Sequence, residues 1–338
     1  MRGFTAAVVG AGGVVGKHVV RALEERAFPV NELRLLATAR SAGHTLDWMG
    51  EPVQISEVTP ESFSGVDVAF FCAPVEVARQ LAPEAVRRGA VVIDKSSAFR
   101  LDSQVPLVVP EVNPQSLAGH QGIIASPNCS TIQLVVVLEP LRQAAGLARV
   151  IVSTYQAVSG TGREAVDELE AQVRADVAGE GQSVSVYPHQ IAFNVLPHCD
   201  AFRPDGYTSE EFKVVAETRK ILSLPGLRVT CTAVRVPVRV GHSEAVLVET
   251  ERPLAPEQAR AALSAAPGVV VEDDPASYAY PLPLKAVGRD EVFVGRIRQD
   301  ASSPNGLWLW VVADNLRKGA ATNAVQIAEL LAASGGLG

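Results

Sequence analysis

A chain of 338 residues, 47% of them hydrophobic, is too long for one ordinary domain and suits two with sizeable cores. Its formal net charge of -7 lacks the basic footprint of a nucleic-acid surface. Apolar stretches such as residues 68–75 and 134–138 fall well short of the ~20 residues that cross a bilayer. Met1-Arg2-Gly3-Phe4-Thr5 runs into strand-like sequence with no export signal, so a cytoplasmic protein without membrane or nucleic-acid partners is expected.

Residues 5–9 read as a buried strand and residues 14–26 have helical spacing. Residues 33–38, 68–71 and 90–93 are short β-rich runs, and residues 76–88 read as a helix. This βαβ rhythm predicts a parallel sheet with helices on its faces, closed by a last strand at residues 123–125. Beyond it the grain changes. Long β-type runs occupy residues 149–158, 227–237, 242–249, 292–298 and 307–313, with helices predicted at 163–177 and 209–222. Grouped strands with few helices between them predict a second, α+β domain with a mixed or antiparallel sheet. The helical run at 319–333 is expected to fold back onto the first domain. The division is therefore 1–128, completed by 319–338, and 129–318.

Gly10-Ala11-Gly12-Gly13-Val14-Val15-Gly16 joins the first strand to the first helix. Glycines there let the backbone approach a pyrophosphate resting on the helix N-terminus, as in a Rossmann-type dinucleotide domain. A tight turn with no ligand is the competing reading. An NAD site usually carries an acid after the second strand for the ribose hydroxyl. Here the sequence is Thr38-Ala39-Arg40-Ser41, with no acid until Asp47. Arg40 and two hydroxyls suit a 2′-phosphate, so NADP is favoured over NAD; a solvated loop arginine is the alternative.

Ser126-Pro127-Asn128-Cys129-Ser130-Thr131 joins a strand to an apolar helix that begins near Cys129. A thiol at a helix N-terminus feels the positive end of the dipole, which favours the thiolate. The same N–H groups can stabilise an oxyanion formed when sulfur attacks a carbonyl. Cys72 and Cys231 lie in strand-like runs and read as inert core thiols, as does Cys199. None of the four forms a Cys-x-x-Cys pair, which points to reduced thiols in a reducing compartment. His18, His44, His120, His189 and His198 show no metal-ligand spacing.

From end to end the chain resembles the bacterial, biosynthetic aspartate-semialdehyde dehydrogenases. The resemblance rests on the glycine loop, Ala39-Arg40-Ser41-Ala42-Gly43, Asp94-Lys95-Ser96-Ser97-Ala98-Phe99-Arg100 and Val109-Pro110-Glu111-Val112-Asn113. It continues through the cysteine motif, Ser153-Thr154-Tyr155-Gln156-Ala157-Val158-Ser159-Gly160 and Ile191-Ala192-Phe193-Asn194. Arg235-Val236-Pro237, His242-Ser243-Glu244 and Asp314-Asn315-Leu316 complete it. It implies NADPH-dependent reduction of L-aspartyl 4-phosphate to L-aspartate 4-semialdehyde and phosphate through a thioester on Cys129, an early step towards lysine, methionine and threonine. By the same resemblance His242 is the general acid–base and Gln156 positions the acyl group. Arg235 clamps the α-carboxylate, Glu210 faces the ammonium, and Arg100 and Lys213 hold the phosphate. Gly10, Gly12, Gly13, Val14, Val15, Thr38, Arg40, Ser41, Ser159, Gly160 and Asn315 contact NADP. The second domain is then catalytic and builds a homodimer on its sheet.

The residue types suit that chemistry. A substrate with a carboxylate, an ammonium and a phosphate needs two cationic patches and one acid, and the planar fork of arginine bonds carboxylate and phosphate oxygens in pairs. Each also has a plainer reading: His242 as a satisfied loop histidine, Arg235 and Lys213 as surface cations, Glu210 as a helix-start acid. Two positions depart from the family pattern. Gly12-Gly13 replaces a common Thr-Gly, and Lys95 stands where asparagine is common. The rival readings are N-acetyl-γ-glutamyl-phosphate reductase, whose substrate has no ammonium for Glu210, a non-catalytic NADP-binding paralogue, and a Cys–His hydrolase, which would not need the glycine loop.

Overall fold

The computed structural model describes residues 3–337. Met1 and Arg2, the start of the lead-in read above, and Gly338, the last residue of the C-terminal helical span, lie outside the described residues. The chain divides into two compact units, residues 1–128 with 320–338, and residues 129–319.

The first unit opens with β1 (Phe4–Val9), α1 (Val14–Glu25), β2 (Val30–Ala37), β3 (Thr45–Trp48) and β4 (Glu51–Glu57). It continues with β5 (Val68–Phe71), α2 (Val75–Arg87), β6 (Val91–Asp94) and β7 (Ile123–Ala125). The sheet order is β3-β4-β2-β1-β5-β6-β7. All neighbours are parallel except the β3/β4 hairpin. Alternate residues of β1 serve opposite faces, the period-2 logic of a strand covered on both sides. Ala6 and Val8 join Val19 and Leu23 of α1, while Ala7 and Val9 meet Ala78, Leu81, Ala82 and Ala85 of α2. β1 lies where the strand order reverses, so the loop after it opens on the crevice where α/β sheets bind ligands.

The β3/β4 hairpin was not expected from the sequence. Its turn is Met49-Gly50, with both residues at positive φ, 55° and 83°. Such two-residue turns ordinarily carry Asn-Gly or Asp-Gly, and methionine in the left-handed region hides the signal.

The second unit begins with α3 (Cys129–Ala145), β8 (Arg149–Gln156), α4 (Arg163–Ala178), α5 (Ser209–Ile221), β9 (Arg228–Arg235) and β10 (His242–Glu249). Then come α6 (Pro256–Ser264), β11 (Val269–Val271), α7 (Pro283–Ala286), β12 (Val292–Gln299) and β13 (Gly306–Ala313). The sheet is mixed, in the order β11-β12-β13-β10-β8-β9, with parallel pairs only at β8/β9 and β11/β12. α3 is apolar on nearly every side because it packs against the sheet, α5 and α6 together. On the opposite sheet face Tyr155 is exposed and packs on Trp310, with 5.4 Å between ring centroids.

The chain ends with α8 (Thr322–Ser334), whose Ala324, Ile327 and Leu331 complete the α1 face of the first unit's core. Regular helix starts at Thr322 rather than at 319, because residues Arg317–Ala321 take wider π-type turns. Among the described residues no helix is long and apolar enough to cross a membrane.

Candidate active site

The glycine loop has the form a dinucleotide phosphate requires. Gly10 sits at φ +83°, and a Cβ on Gly16 would collide with the Gly10 carbonyl oxygen, so both positions demand glycine. The N-terminus of α1, at Gly13, has no side-chain cap and no acid in its first turn. Those backbone donors and the helix dipole remain for an anion. Beside them, a Cβ on Gly12 would stand 3.3 Å from Cβ of Ser41. Residues 38–42 close a turn in which the Thr38 carbonyl accepts the Ser41 N–H at 2.9 Å, leaving Thr38 and Arg40 exposed. A glycine cradle next to an acid-free turn bearing hydroxyls and an arginine fits NADP. Val14 and Val15 open α1 at the same junction. Arg100, also in this unit, is buried and donates from Nη2 to the Lys95 carbonyl at 2.7 Å. Lys95 in turn donates to Oγ of Ser126 at 3.0 Å.

In the second unit, strand register assembles the site. Gln156 ends β8 directly beside Arg235, which ends β9. Ser243 pairs with Tyr155, so His242, at the start of β10, falls level with Gln156. Arg235, Gln156 and His242 thus form one transverse row on the buried face. The backbone of Ala157 clamps both neighbours: its N–H donates to His242 Nδ1 at 3.0 Å, and its carbonyl accepts from Arg235 Nη1 at 2.8 Å. Gly160 closes over them. A Cβ there would come within 2.9 Å of Arg235 Nη1 and 3.1 Å of His242 Nε2.

This arrangement sets the proton on His242. Nδ1 accepts the amide hydrogen, so the neutral ring carries its own hydrogen on Nε2. Burial, followed by the Arg235 guanidinium, holds its pKa down to about 3, against the opposing pull of Glu210. Among the described residues, His242 Nε2 and Arg235 Nε are buried without a hydrogen-bond partner. Those are the atoms with something left to offer a ligand.

Glu210 starts α5 and is buried; its Oε1 accepts from Gln156 Nε2 at 3.1 Å. Lys213 bridges Glu210 at 2.6 Å and Asp200 at 2.7 Å. Burial works against the Lys213 charge, but Glu210 and Asp200 outweigh it and push its pKa up. The two charges expected on opposite ends of a substrate are therefore paired with each other here. Ser159 and Asn315 bond mutually at 3.0 Å, and Asn315 Oδ1 also accepts the Gly241 N–H at 2.9 Å. This pair anchors the turn that delivers His242.

Cys129 is the first residue of α3 and half-buried, at the positive end of that helix. Gly319 presses against it, since a Cβ there would stand 3.0 Å from Cβ of Cys129. The Cys199 thiol feels Arg235, Glu210, Asp200 and Cys129, which puts these side chains in one electrostatic neighbourhood. Burial pushes Cys72 and Cys199 up to about 12 and raises Cys231 as well, as inert core thiols require. No group of three or more His, Cys, Asp or Glu among the described residues is arranged for a metal ion.

Sequence reasoning missed Asp200 and the backbone clamp at Ala157. Asp200 is held at φ 61°, which no local motif announced. A backbone clamp carries no residue-type signal.

Comparison with known proteins decides the family. Residues 5–120 match the semialdehyde dehydrogenase NAD binding domain, and residues 138–318 match the semialdehyde dehydrogenase dimerisation domain. An aspartate-semialdehyde dehydrogenase of Aquifex aeolicus is 53% identical over 337 residues, covering 98% of this chain and 99% of that protein. The chain belongs to the aspartate-semialdehyde dehydrogenase family. Among solved members, the crystal structure of aspartate semialdehyde dehydrogenase II complexed with ASA from Vibrio cholerae superposes with a TM-score of 0.96. It is 46% identical, covering 98% of this chain and 99% of that one. The family enzyme with NADP from Candida albicans is 26% identical, with a TM-score of 0.77 and 99% of each chain covered.

Proposed function

We propose that this chain reduces L-aspartyl 4-phosphate to L-aspartate 4-semialdehyde, releasing phosphate, with NADPH as reductant. The observation that carries the reading is the row Arg235–Gln156–His242, buried, locked by the backbone of Ala157, and left with an imidazole N–H and a guanidinium N–H to offer. Arg235 holds the α-carboxylate and Glu210 the ammonium, with Lys213 and Arg100 on the phosphate. The Cys129 thiolate attacks the acyl carbon, the bond from that carbon to the phosphoryl oxygen breaks, and phosphate leaves with the electron pair. A thioester on Cys129 results, its acyl group oriented by Gln156.

NADPH, when bound, supplies the hydride that reduces this thioester. Gly10, Gly12, Gly13, Val14 and Val15 cradle its pyrophosphate, Thr38, Arg40 and Ser41 take the 2′-phosphate, and Ser159, Gly160 and Asn315 border the reacting end. His242 serves the oxygen rather than the sulfur. With Nδ1 occupied by the Ala157 N–H, its Nε2–H donates to the developing oxyanion of the thiohemiacetal. Collapse then expels the Cys129 thiolate and yields the aldehyde.

The first unit, as residues 1–128 with 319–338, is assigned to NADP, and residues 129–318 to catalysis and dimerisation. The homodimer is built on the sheet face that carries Tyr155 and Trp310, and the cytoplasm is the compartment. The test is phosphate-dependent NADP reduction by L-aspartate 4-semialdehyde, run beside Cys129→Ala. Turnover of the N-acetylglutamate semialdehyde alone refutes the aspartyl assignment.

A further inference from the structure

Asp200 sets a carboxylate against the cation that the proposed reaction assigns to phosphate. Its Oδ2 accepts from Lys213 Nζ at 2.7 Å, while Glu210 Oε2 meets the same nitrogen at 2.6 Å. One ammonium between two carboxylates leaves the group with a negative charge in excess. The two acids are held differently. Glu210 is buried in the first turn of α5, and its Oε1 also accepts from Gln156. The Asp200 side chain is 49% exposed, against 6% for Glu210. It projects from the loop before α5 at φ 61°, a left-handed backbone that carries a steric cost for a residue with a Cβ.

This difference in burial decides which acid can let go. A carboxylate stripped of its cation inside a protein is costly, whereas one at the surface is taken over by water. Glu210 is therefore fixed on Lys213, and Asp200 is exchangeable. An ammonium has three hydrogens to give, so donors alone leave room for a phosphate oxygen beside both acids. Charge does not. Acceptors on one ammonium lie close together, and a phosphate there would face a carboxylate of its own sign. We propose that Asp200 stands in for the substrate's phosphate: it occupies Lys213 until phosphate arrives, yields the cation to it, and reclaims the cation as phosphate departs. Asp200 is thus a residue that sets phosphate affinity; it acts through Lys213 and takes no part in bond making. In the reductive direction the returning carboxylate speeds release of product phosphate. In the oxidative direction it is a competitor that phosphate must displace. The inference rests on Lys213 holding the phosphate, as proposed above.

The test uses the full-length protein carrying Asp200→Asn, which removes the charge, keeps the shape and tolerates the left-handed backbone. In phosphate-dependent NADP reduction by L-aspartate 4-semialdehyde, KM for phosphate falls about fivefold, the worth of a half-exposed ion pair, with KM for semialdehyde and NADP unmoved. Phosphate as a product inhibitor of the reductive reaction becomes tighter by the same factor. Lys213→Gln raises KM for phosphate, and adding Asp200→Asn to it changes nothing further, since both residues act on one contact. A role for Asp200 in merely orienting Lys213 has the opposite sign: KM for phosphate then rises in Asp200→Asn, which overturns the proposal. An unchanged KM overturns it too, as does a fall that persists beside Lys213→Gln, because that fall belongs to general repulsion and not to exchange at Lys213. If Asp200→Asn does not fold, Asp200→Gly, whose backbone adopts φ 61° without cost, carries the same test. Should the wild type fail to oxidise the semialdehyde, the functional reading fails. Calorimetric titration of the resting proteins with inorganic phosphate still judges Asp200: Asp200→Asn binds it more tightly than wild type, or the proposal falls.

Discussion

The two units solve the problem of holding a ligand in opposite ways. In the first, the binding surface is backbone: glycines bring the chain close, and an uncapped helix end presents its N–H groups. In the second it is side chain, aligned across three strands by pairing register and secured by a single residue, Ala157. A backbone site tolerates no added atoms but is written in consecutive residues. A register site is scattered over the sequence, and each member alone looks ordinary.

Removing the nucleophile separates the two units most sharply. Cys129→Ala should lower kcat by at least about 10⁴-fold while NADP binding, measured by fluorescence titration, stays unchanged. A parallel loss of cofactor affinity would blur the division. Next, Gly160→Ala places a methyl against Arg235 and His242. It should cost about 100-fold in kcat/KM by steady-state kinetics, showing that the register site is as intolerant of atoms as the glycine loop. A third test is thermodynamic. His242 is held neutral to about pH 3, whereas in the unfolded chain it takes up a proton near pH 6.5. The unfolded state binds the extra proton between these values, so stability is full above pH 6.5 and falls as pH drops towards 3, by at most about 1.4 kcal/mol per unit. Chemical denaturation of wild type and His242→Asn across that window should show the steeper slope in the former. Correspondingly, kcat/KM should show no ionisation of this ring between pH 5 and 8. The smallest effect belongs to Arg40, an exposed residue: Arg40→Ala should raise KM for NADPH about fivefold and leave NADH unaffected. Equal losses for both cofactors would remove it from the 2′-phosphate.

The same contrast explains what the sequence reveals. Strand and helix alternation, the glycine loop and the cysteine at its helix start are local, and they read directly from residue order. The β3/β4 hairpin escaped because Met49 occupies a turn position where asparagine or aspartate would have announced it. The helix Pro256–Ser264 escaped too, although Pro256 stands at its first turn, where proline marks helix starts. Residue types and the family resemblance named Gln156, Arg235 and His242, but not the row they form, because that depends on which strands become neighbours. The pairing of Glu210 with Lys213 was visible as an i,i+3 spacing, yet the substrate's charges suggested separate duties for them. Asp200 left no trace, since a lone acid in a loop declares nothing until its partner, Lys213, is known.

Ala157 ties together the cation proposed to grip the substrate and the ring proposed to serve its oxygen. Its N–H belongs to the peptide before it and its carbonyl to the peptide after it, so the two attachments are joined through the φ and ψ of one alanine. A pull on Arg235 therefore reaches the imidazole only through that alanine's backbone torsions. Anchoring and chemistry, as proposed, thus share one residue as their hinge.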